Sequence, residues 1–133
     1  MVKVVHVSGR RKRSIARATL TGGKGVIRVN SFLLDNVKPD FARDKIREPL
    51  VLSGELAGKV DISIKVNGGG WRSQSDAVRL AVSRALVRYS GSKVLEKTFG
   101  DYDRQLLVAD IRHKEQRKPN DSKARANRTK SYR

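Results

Sequence analysis

The residue types that most enzymes use for chemistry are sparse in this chain. It contains no cysteine, which excludes disulfides, thiol nucleophiles and cysteine-ligated zinc. Its two histidines, His6 and His113, are far apart in sequence and give no metal-binding cluster. Asp101 and Asp103 occur in a Gly-Asp-Tyr-Asp segment, where acids that form turns are more common than a general acid and base. The sequence therefore predicts no active site, no cofactor, no metal and no small-molecule substrate.

Two glycine-rich segments could instead surround a phosphate group. Gly22-Gly23-Lys24-Gly25 and Gly68-Gly69-Gly70 each follow a strand-like segment, but neither has the spacing of a P-loop or of a dinucleotide-binding fingerprint. A small nucleotide-binding enzyme is an alternative that these patterns support poorly. We interpret the second segment as a close approach of strand and helix backbones, with a nucleic-acid phosphate nearby left open. Trp71, which follows it, either packs against the helix or stacks on a base.

Positively charged side chains are abundant and unevenly distributed. The chain has 30 Lys plus Arg against 13 Asp plus Glu, a formal net charge of +17. Residues 1–34 hold eight basic and no acidic residues, 35–111 hold 13 and 11, and 112–133 hold nine and two, so the three parts carry +8, +2 and +7. Concentration of charge at both ends indicates binding to a polyanion.

The most compact basic cluster is the run Gly9-Arg10-Arg11-Lys12-Arg13. It lies between two segments with strand patterns, 2–7 and 15–20, so a tight connection would present the four cations. Arginine can bind two phosphate oxygens at once, and Arg17 adds a cation on the second strand. We favour phosphate contact. A solvated hairpin tip and a nuclear localisation signal have a similar composition and remain alternatives.

The periodicity of the rest predicts an α+β domain. Segment 26–29 forms a third strand, completing an antiparallel meander, and Val60, Ile62, Ile64 and Val66 alternate with polar residues in the clearest strand pattern. Apolar spacing predicts three helices. They cover 41–48, ended by Pro49; 76–89, capped by Ser73 or Ser75; and 93–99, ended by Gly100.

The C-terminal segment has a different composition. Beyond Ile111 its only apolar side chains are Ala124, Ala126 and Tyr132, too few to offset the entropy of ordering the chain. We expect a globular domain over 1–111 and an extended basic tail over 112–133 that becomes ordered on a polyanion. No apolar run approaches the ~18 residues that cross a membrane, and no signal-peptide pattern is present, so neither membrane insertion nor secretion is expected.

Several blocks in their joint order resemble the universal small-subunit ribosomal protein number nine family. They span essentially the whole chain and are Ser8 to Arg17, Val66 to Gly70 with Gln74, Ala77 and Arg79, Ser83 to Val87, Asp110 to Pro119, Ala124-Arg125, and Lys130 to Arg133. The Ser-Tyr-Arg ending is similar to archaeal and eukaryotic members, and the short N-terminus favours an archaeal one.

The resemblance implies a fold, a location and partners. It implies a two-layer α+β sandwich with helices on one face of a mostly antiparallel or mixed sheet, as in the second domain of small-subunit ribosomal protein number five. It further implies a cytoplasmic, ribosomal protein in the head of the small subunit, bound to the 3′ major domain of the rRNA beside other head proteins. The tail would reach the anticodon stem-loop of the P-site tRNA.

The candidate site residues follow from the basic clusters and the resemblance together. Lys130, Tyr132 and Arg133 are expected at the tRNA, with Arg133 at its phosphates. A general nucleic-acid-compacting protein remains an alternative, since basic composition alone does not separate RNA from DNA. The residues expected at the rRNA are Arg10, Arg11, Lys12, Arg13, Arg17, Arg72, Arg79, Arg112, Lys114, Arg117, Lys118, Lys123, Arg125 and Arg128.

Overall fold

A five-stranded mixed sheet with helices packed on one face forms the domain. The computed structural model describes residues 3–119 and 123–126. The strands are β1 (Val5–Arg11), β2 (Ser14–Gly22), β3 (Ile27–Val29), β4 (Phe32–Leu33) and β5 (Val60–Asn67). The helices are α1 (Asp40–Leu52), α2 (Trp71–Ser90) and α3 (Lys93–Tyr102), with short 3₁₀ turns at Leu34–Asn36, Gly54–Lys59 and Arg104–Leu106. The predicted α+β class, with helices on one sheet face, is confirmed.

The order of strands in the sheet is β1-β2-β5-β3-β4. β1 and β5 pair antiparallel with β2, whereas β3 pairs parallel with β5. The prediction of a meander of the first three strands is therefore wrong, because β5 lies between β2 and β3. The central position suits β5, since its inward side chains Val60, Ile62, Ile64 and Val66 are all buried.

The core lies between the sheet and α2. The inward side of α2 carries small and branched side chains, among them Ala77, Ala81 and Ala85, and all three are fully buried. Small residues allow the helix to approach β1 closely. A Cβ on Gly9 would lie 2.3 Å from the Ala77 carbonyl oxygen, so only glycine fits there. The helix thus fixes the strand that leads into the basic run.

Each predicted helix is present, but the ends differ from the sequence-based expectations. α1 continues through Pro49 to Leu52 because Pro49 lies in the last turn, where burial of Leu50 offsets the lost hydrogen bond. α2 begins at Trp71 with Gly70 as its N-cap, and Ser73 contacts the Gly70 N–H from inside the first turn.

The third helix also runs further than expected. Ser92 is its N-cap and accepts a hydrogen bond from the Leu95 N–H. The helix passes through Gly100 and ends at Tyr102, because glycine lowers helix propensity by only about 1 kcal/mol and buried Phe99 anchors this turn.

Candidate nucleic-acid interface

The basic run forms the end of the β1–β2 hairpin. Arg11 pairs with Ser14 across the two strands, so Lys12 and Arg13 are the two-residue turn, and Lys12 has a positive φ of 52°. Arg10, Lys12 and Arg13 are exposed. A short, rigid connection therefore presents these cations to the solvent, and this arrangement suits contact with phosphates.

The open face of the sheet extends this positive surface. Arg17 lies on the side of β2 that faces away from the helices, and its register partner on β5 is Lys65. Arg28 on β3 is paired with Ser63 and is exposed on the same face. Lys65 and Arg28 were not among the residues predicted at the rRNA. Their outward positions in the alternating patterns of β5 and β3 were the available signal.

The glycine loop before α2 packs against the hairpin turn. Ser14 Oγ donates a hydrogen bond to the Gly68 carbonyl oxygen at 2.8 Å. A Cβ on Gly68 would lie 2.4 Å from the Arg13 carbonyl oxygen, and a Cβ on Gly69 would lie 2.3 Å from Ser14 Oγ. The glycines therefore allow a close backbone approach. The backbone approaches the hairpin turn as well as the helix. This contact places exposed Arg72, in the first turn of α2, beside the turn residue Lys12, and both line one cavity.

The start of the tail is tied to the same hairpin. Asp110, whose side chain is 9% exposed, makes an ion pair with Arg11 of β1. Arg112 donates to the same carboxylate at 2.8 Å and, through its backbone N–H, at 2.9 Å. The Arg112 hydrogen bonds, with the charge of Arg11, hold the pKa of Asp110 well below its usual range. The carboxylate therefore stays ionised and joins two segments 99 residues apart in sequence.

The described part of the tail has no helix, no strand and no buried residue. Residues 111–119 are all exposed, including Lys114, Arg117 and Lys118. Arg125 makes a bidentate pair with Glu115 at 2.8 and 2.5 Å, and Lys123 is exposed. The predicted contacts of Arg128, Lys130, Tyr132 and Arg133 lie outside the described residues.

Arg79 differs from the other candidates. Its side chain is only 8% exposed and lies between Glu48 of α1 and Asp103, donating to Asp103 at 2.9 Å. Burial alone would lower the pKa of Arg79, but the two carboxylates outweigh it and raise the pKa. The geometry does not support RNA contact by Arg79, because two acids inside the protein already occupy its guanidinium group. The sequence position of Arg79, seven residues after Arg72 on the same helix, could not reveal that its side chain is enclosed. Both of its acidic partners lie in other elements.

Arg11 is also partly used within the protein. In addition to Asp110, it lies 3.7 Å from Asp76, and its side chain is 21% exposed. It therefore positions the hairpin as well as contributing charge.

The described residues hold no group of three or more histidines and acids close enough to bind a metal. In the same part of the chain, no helix is both long and apolar enough to span a membrane.

Comparison with known proteins identifies the family. The family model described as ribosomal protein S9/S16 matches residues 9–133. The chain belongs to the ribosomal protein S9/S16 family. A protein called small ribosomal subunit protein uS9 from Methanococcus vannielii is 45% identical over 134 residues, covering 99% of this chain and 100% of the relative. The protein of the same name from Methanothrix thermoacetophila is 44% identical, with the same coverage.

Membership of the S9/S16 family settles the class of protein. The predicted family is confirmed, and the relatives place the chain with the archaeal members. It is a ribosomal protein and not an enzyme, so the alternative of a nucleotide-dependent enzyme is excluded. The match covers the hairpin turn, the glycine loop and the tail together.

Proposed function

We propose that the chain is a structural component of the small ribosomal subunit that binds the 3′ major domain of the rRNA, in the subunit head. In this proposal the β1–β2 hairpin, the open sheet face and the tail contact RNA phosphates, and the last residues of the tail reach the P-site tRNA. The small-subunit role follows from the family, and the named relatives are small-subunit proteins. The rRNA domain and the tRNA contact are the finer part of the proposal.

The observation that carries this proposal is the link between the hairpin and the tail. Asp110 pairs with Arg11 and Arg112, so the positively charged β1–β2 hairpin and the start of the positively charged tail meet at one place. In the proposed function, one basic surface lies on a folded RNA and the tail continues from it along the same RNA. RNA of this kind is recognised largely through its phosphates and its shape.

Salt dependence and competition test rRNA binding. The full chain should bind an rRNA fragment of the head domain with an affinity that falls about 10³–10⁵-fold between about 50 and 200 mM salt, as expected for ~6–10 phosphate contacts. A duplex DNA of equal length should compete poorly. Little loss of affinity with salt would refute the many-phosphate mechanism, and equal competition by duplex DNA would refute selective recognition of the rRNA.

Removal of residues 130–133 tests the tRNA contact separately. This part of the chain includes Lys130, Tyr132 and Arg133. We expect the shortened protein to enter small subunits normally and to weaken retention of P-site tRNA, with Arg133→Ala giving a smaller loss in the same direction. Unchanged tRNA binding would exclude the tail contact while leaving the rRNA proposal intact.

A further inference from the structure

A cavity of about 640 Å³ opens beside the hairpin turn, between the first turns of α1 and α2. Its walls include the cations Lys12, Lys45 and Arg72 and the aromatic rings of Phe41 and Trp71. The volume lies within the ~300–1,000 Å³ typical of sites for small molecules. Phosphate contact alone needs only a charged surface, so the aromatic walls call for a separate explanation.

The two aromatic rings leave much of their surface in solvent. Phe41 is 65% exposed and Trp71 is 42% exposed, although both lie at helix starts next to a well-packed core. The rings meet edge to face, with centroids 6.5 Å apart and an interplanar angle of 82°. This contact fixes the orientation of the indole while it remains accessible.

Positive charge surrounds these rings. Lys45 is paired with Asp76 at 2.5 Å, whereas Lys12 and Arg72 make no ion pair among the described residues. The Arg72 guanidinium lies 5.1 Å from the centroid of the Trp71 ring. An apolar flat surface and unneutralised cations therefore occur together, and a nucleotide offers both complementary parts, a flat base and an anionic phosphate.

We propose that this cavity binds one unpaired nucleotide of the rRNA, with its base stacked on Trp71 and its phosphate held by Lys12 and Arg72. The inference rests on the proposed function and adds to it a contact with a base, whereas the hairpin and tail contact phosphates. A side chain of a neighbouring protein could cover the rings too. The unpaired cations favour the nucleotide, since an apolar protein side chain would leave them without a partner.

Fluorescence of the intact chain gives a direct test, because Trp71 is its one tryptophan. The probes are a tetranucleotide of adenylate and a chain of four abasic ribose phosphates, titrated at equal ionic strength. Stacking should quench the Trp71 emission with the adenylate probe, and the abasic chain should leave it nearly unchanged. Absence of quenching, or equal quenching by the two probes, would overturn the proposal.

Variants test whether the same contact acts on rRNA. Trp71→Ala should weaken binding of a head-domain rRNA fragment by about 5- to 150-fold, the range for loss of one base–aromatic stack, without changing the salt dependence. Trp71→Phe should retain most of the affinity. Phe32→Ala is the matched control, because Phe32 is an aromatic residue that is 67% exposed and lies outside this cavity. Equal thermal unfolding of the variants would show that each is folded.

The outcomes separate this inference from the proposed function. If Trp71→Ala binds the fragment like the unmodified chain, the nucleotide site is wrong and the phosphate contacts stand. If the unmodified chain itself fails to bind, the proposed function is wrong.

Oxidation of Trp71 by hydroxyl radicals, read by mass spectrometry, separates RNA from protein as the occupant. Protection in the binary complex with rRNA supports the nucleotide site. Protection only in the complete subunit would assign the cavity to a protein neighbour and overturn the proposal.

Discussion

Arg72 and Arg79 have different surroundings although they lie on one helix. The two residues are seven positions apart on α2, so they lie on nearly the same side of it. Arg72 is exposed at the hairpin turn, while Arg79 is enclosed by Glu48 and Asp103. Their sequence contexts do not distinguish them, because the two acids belong to other elements. Roles of single basic residues in such a chain depend on tertiary partners.

Arg79→Ala should destabilise the domain. It would leave the Glu48 and Asp103 carboxylates without their partner, and each of these side chains is 35% exposed. We expect a loss of about 2–4 kcal/mol, below the ~3–5 kcal/mol of a fully buried pair, because both acids can still reach water. Urea unfolding of the full chain measures this loss in the free energy of unfolding. Exposed Arg104→Ala removes the same charge as a control and should change stability by no more than about 0.5 kcal/mol. Equal effects of the two substitutions would refute the structural role.

Asp61 should make stability depend on pH. Its carboxylate accepts hydrogen bonds from the Val26 and Lys24 N–H groups at 2.8 and 2.9 Å, and these bonds hold the pKa of Asp61 below its ordinary value. The folded state therefore releases this proton more readily than the unfolded one. The ionised Asp61 carboxylate therefore stabilises the fold fully above about pH 4. This stabilisation is lost as the pH falls through the lowered pKa of Asp61 in the folded state.

Asp61→Asn tests this dependence by urea unfolding at several pH values. The variant should be less stable than the unmodified chain above about pH 4, and the difference should shrink as the pH falls below that value. Asp101→Asn is the control. Asp101 is an exposed acid on α3, so this substitution makes the same change in charge. A difference that stays constant with pH would contradict the role of the ionised carboxylate.

The glycine loop and the hairpin form one structural unit at the scale of elements. Gly68 and Gly69 have φ values of 80° and 64°, and they bring the backbone before α2 against Arg13 and Ser14. Through this contact the loop, the hairpin turn and the start of α2 share one surface. The position of the basic turn thus depends on two residues without side chains.

Gly68→Ala should disturb that unit. The substitution forces alanine into a left-handed backbone conformation, and its Cβ would meet the Arg13 carbonyl oxygen at 2.4 Å. We expect a loss of more than about 2 kcal/mol in urea unfolding and a lower affinity for rRNA. Gly100→Ala is the matched control, since a Cβ there meets nothing within 4 Å and α3 is helical at that point. It should stabilise the chain by about 0.5–1 kcal/mol. A tolerated Gly68→Ala would refute the close approach.

Sequence patterns predicted these elements unevenly, and the reasons are physical. β5 was found because Val60 to Val66 alternate strictly, and α2 because its apolar spacing is long. The order of strands was not predictable, because placement of β5 between β2 and β3 depends on pairing between segments far apart in sequence. The first turn of α2 was missed because it follows three glycines and because Gln74 and Ser75, at the positions that would continue the apolar spacing, are polar.

At the scale of the whole molecule, the fold explains the distribution of the +17 charge. The parts that carry +8 and +7 are at opposite ends of the sequence, but Asp110 joins them at the β1–β2 hairpin. The grouping of basic residues was readable from the sequence, whereas the junction was not. Asp110 lies between the apolar residues Ala109 and Ile111, and its partner Arg11 lies 99 positions away.

Removal of residues 112–133 should separate folding from RNA binding. The described part of this segment contributes no buried side chain, but its loss removes the Arg112 hydrogen bonds to Asp110 while the ion pair with Arg11 remains, so stability should fall by about 1–3 kcal/mol in urea unfolding and the domain should still fold. The affinity for rRNA should fall and its salt dependence should become weaker, since the segment carries nine basic residues. A shortened chain that fails to fold would refute the proposed domain boundary.

The central claim, that the hairpin and the tail contact neighbouring parts of the 3′ major rRNA domain, can be tested by directed cleavage of the RNA. The chain has no cysteine, so Arg13→Cys, Lys118→Cys and Lys59→Cys each provide one site for an iron chelate that generates hydroxyl radicals. Lys59 precedes β5 at the end of the sheet opposite the hairpin turn and serves as the control. We predict cleavage from residues 13 and 118 at neighbouring nucleotides of the 3′ major domain, and weak cleavage there from residue 59. If residues 13 and 118 directed cleavage to separate rRNA domains, the account would be contradicted. It would also be contradicted if neither residue gave more cleavage than residue 59.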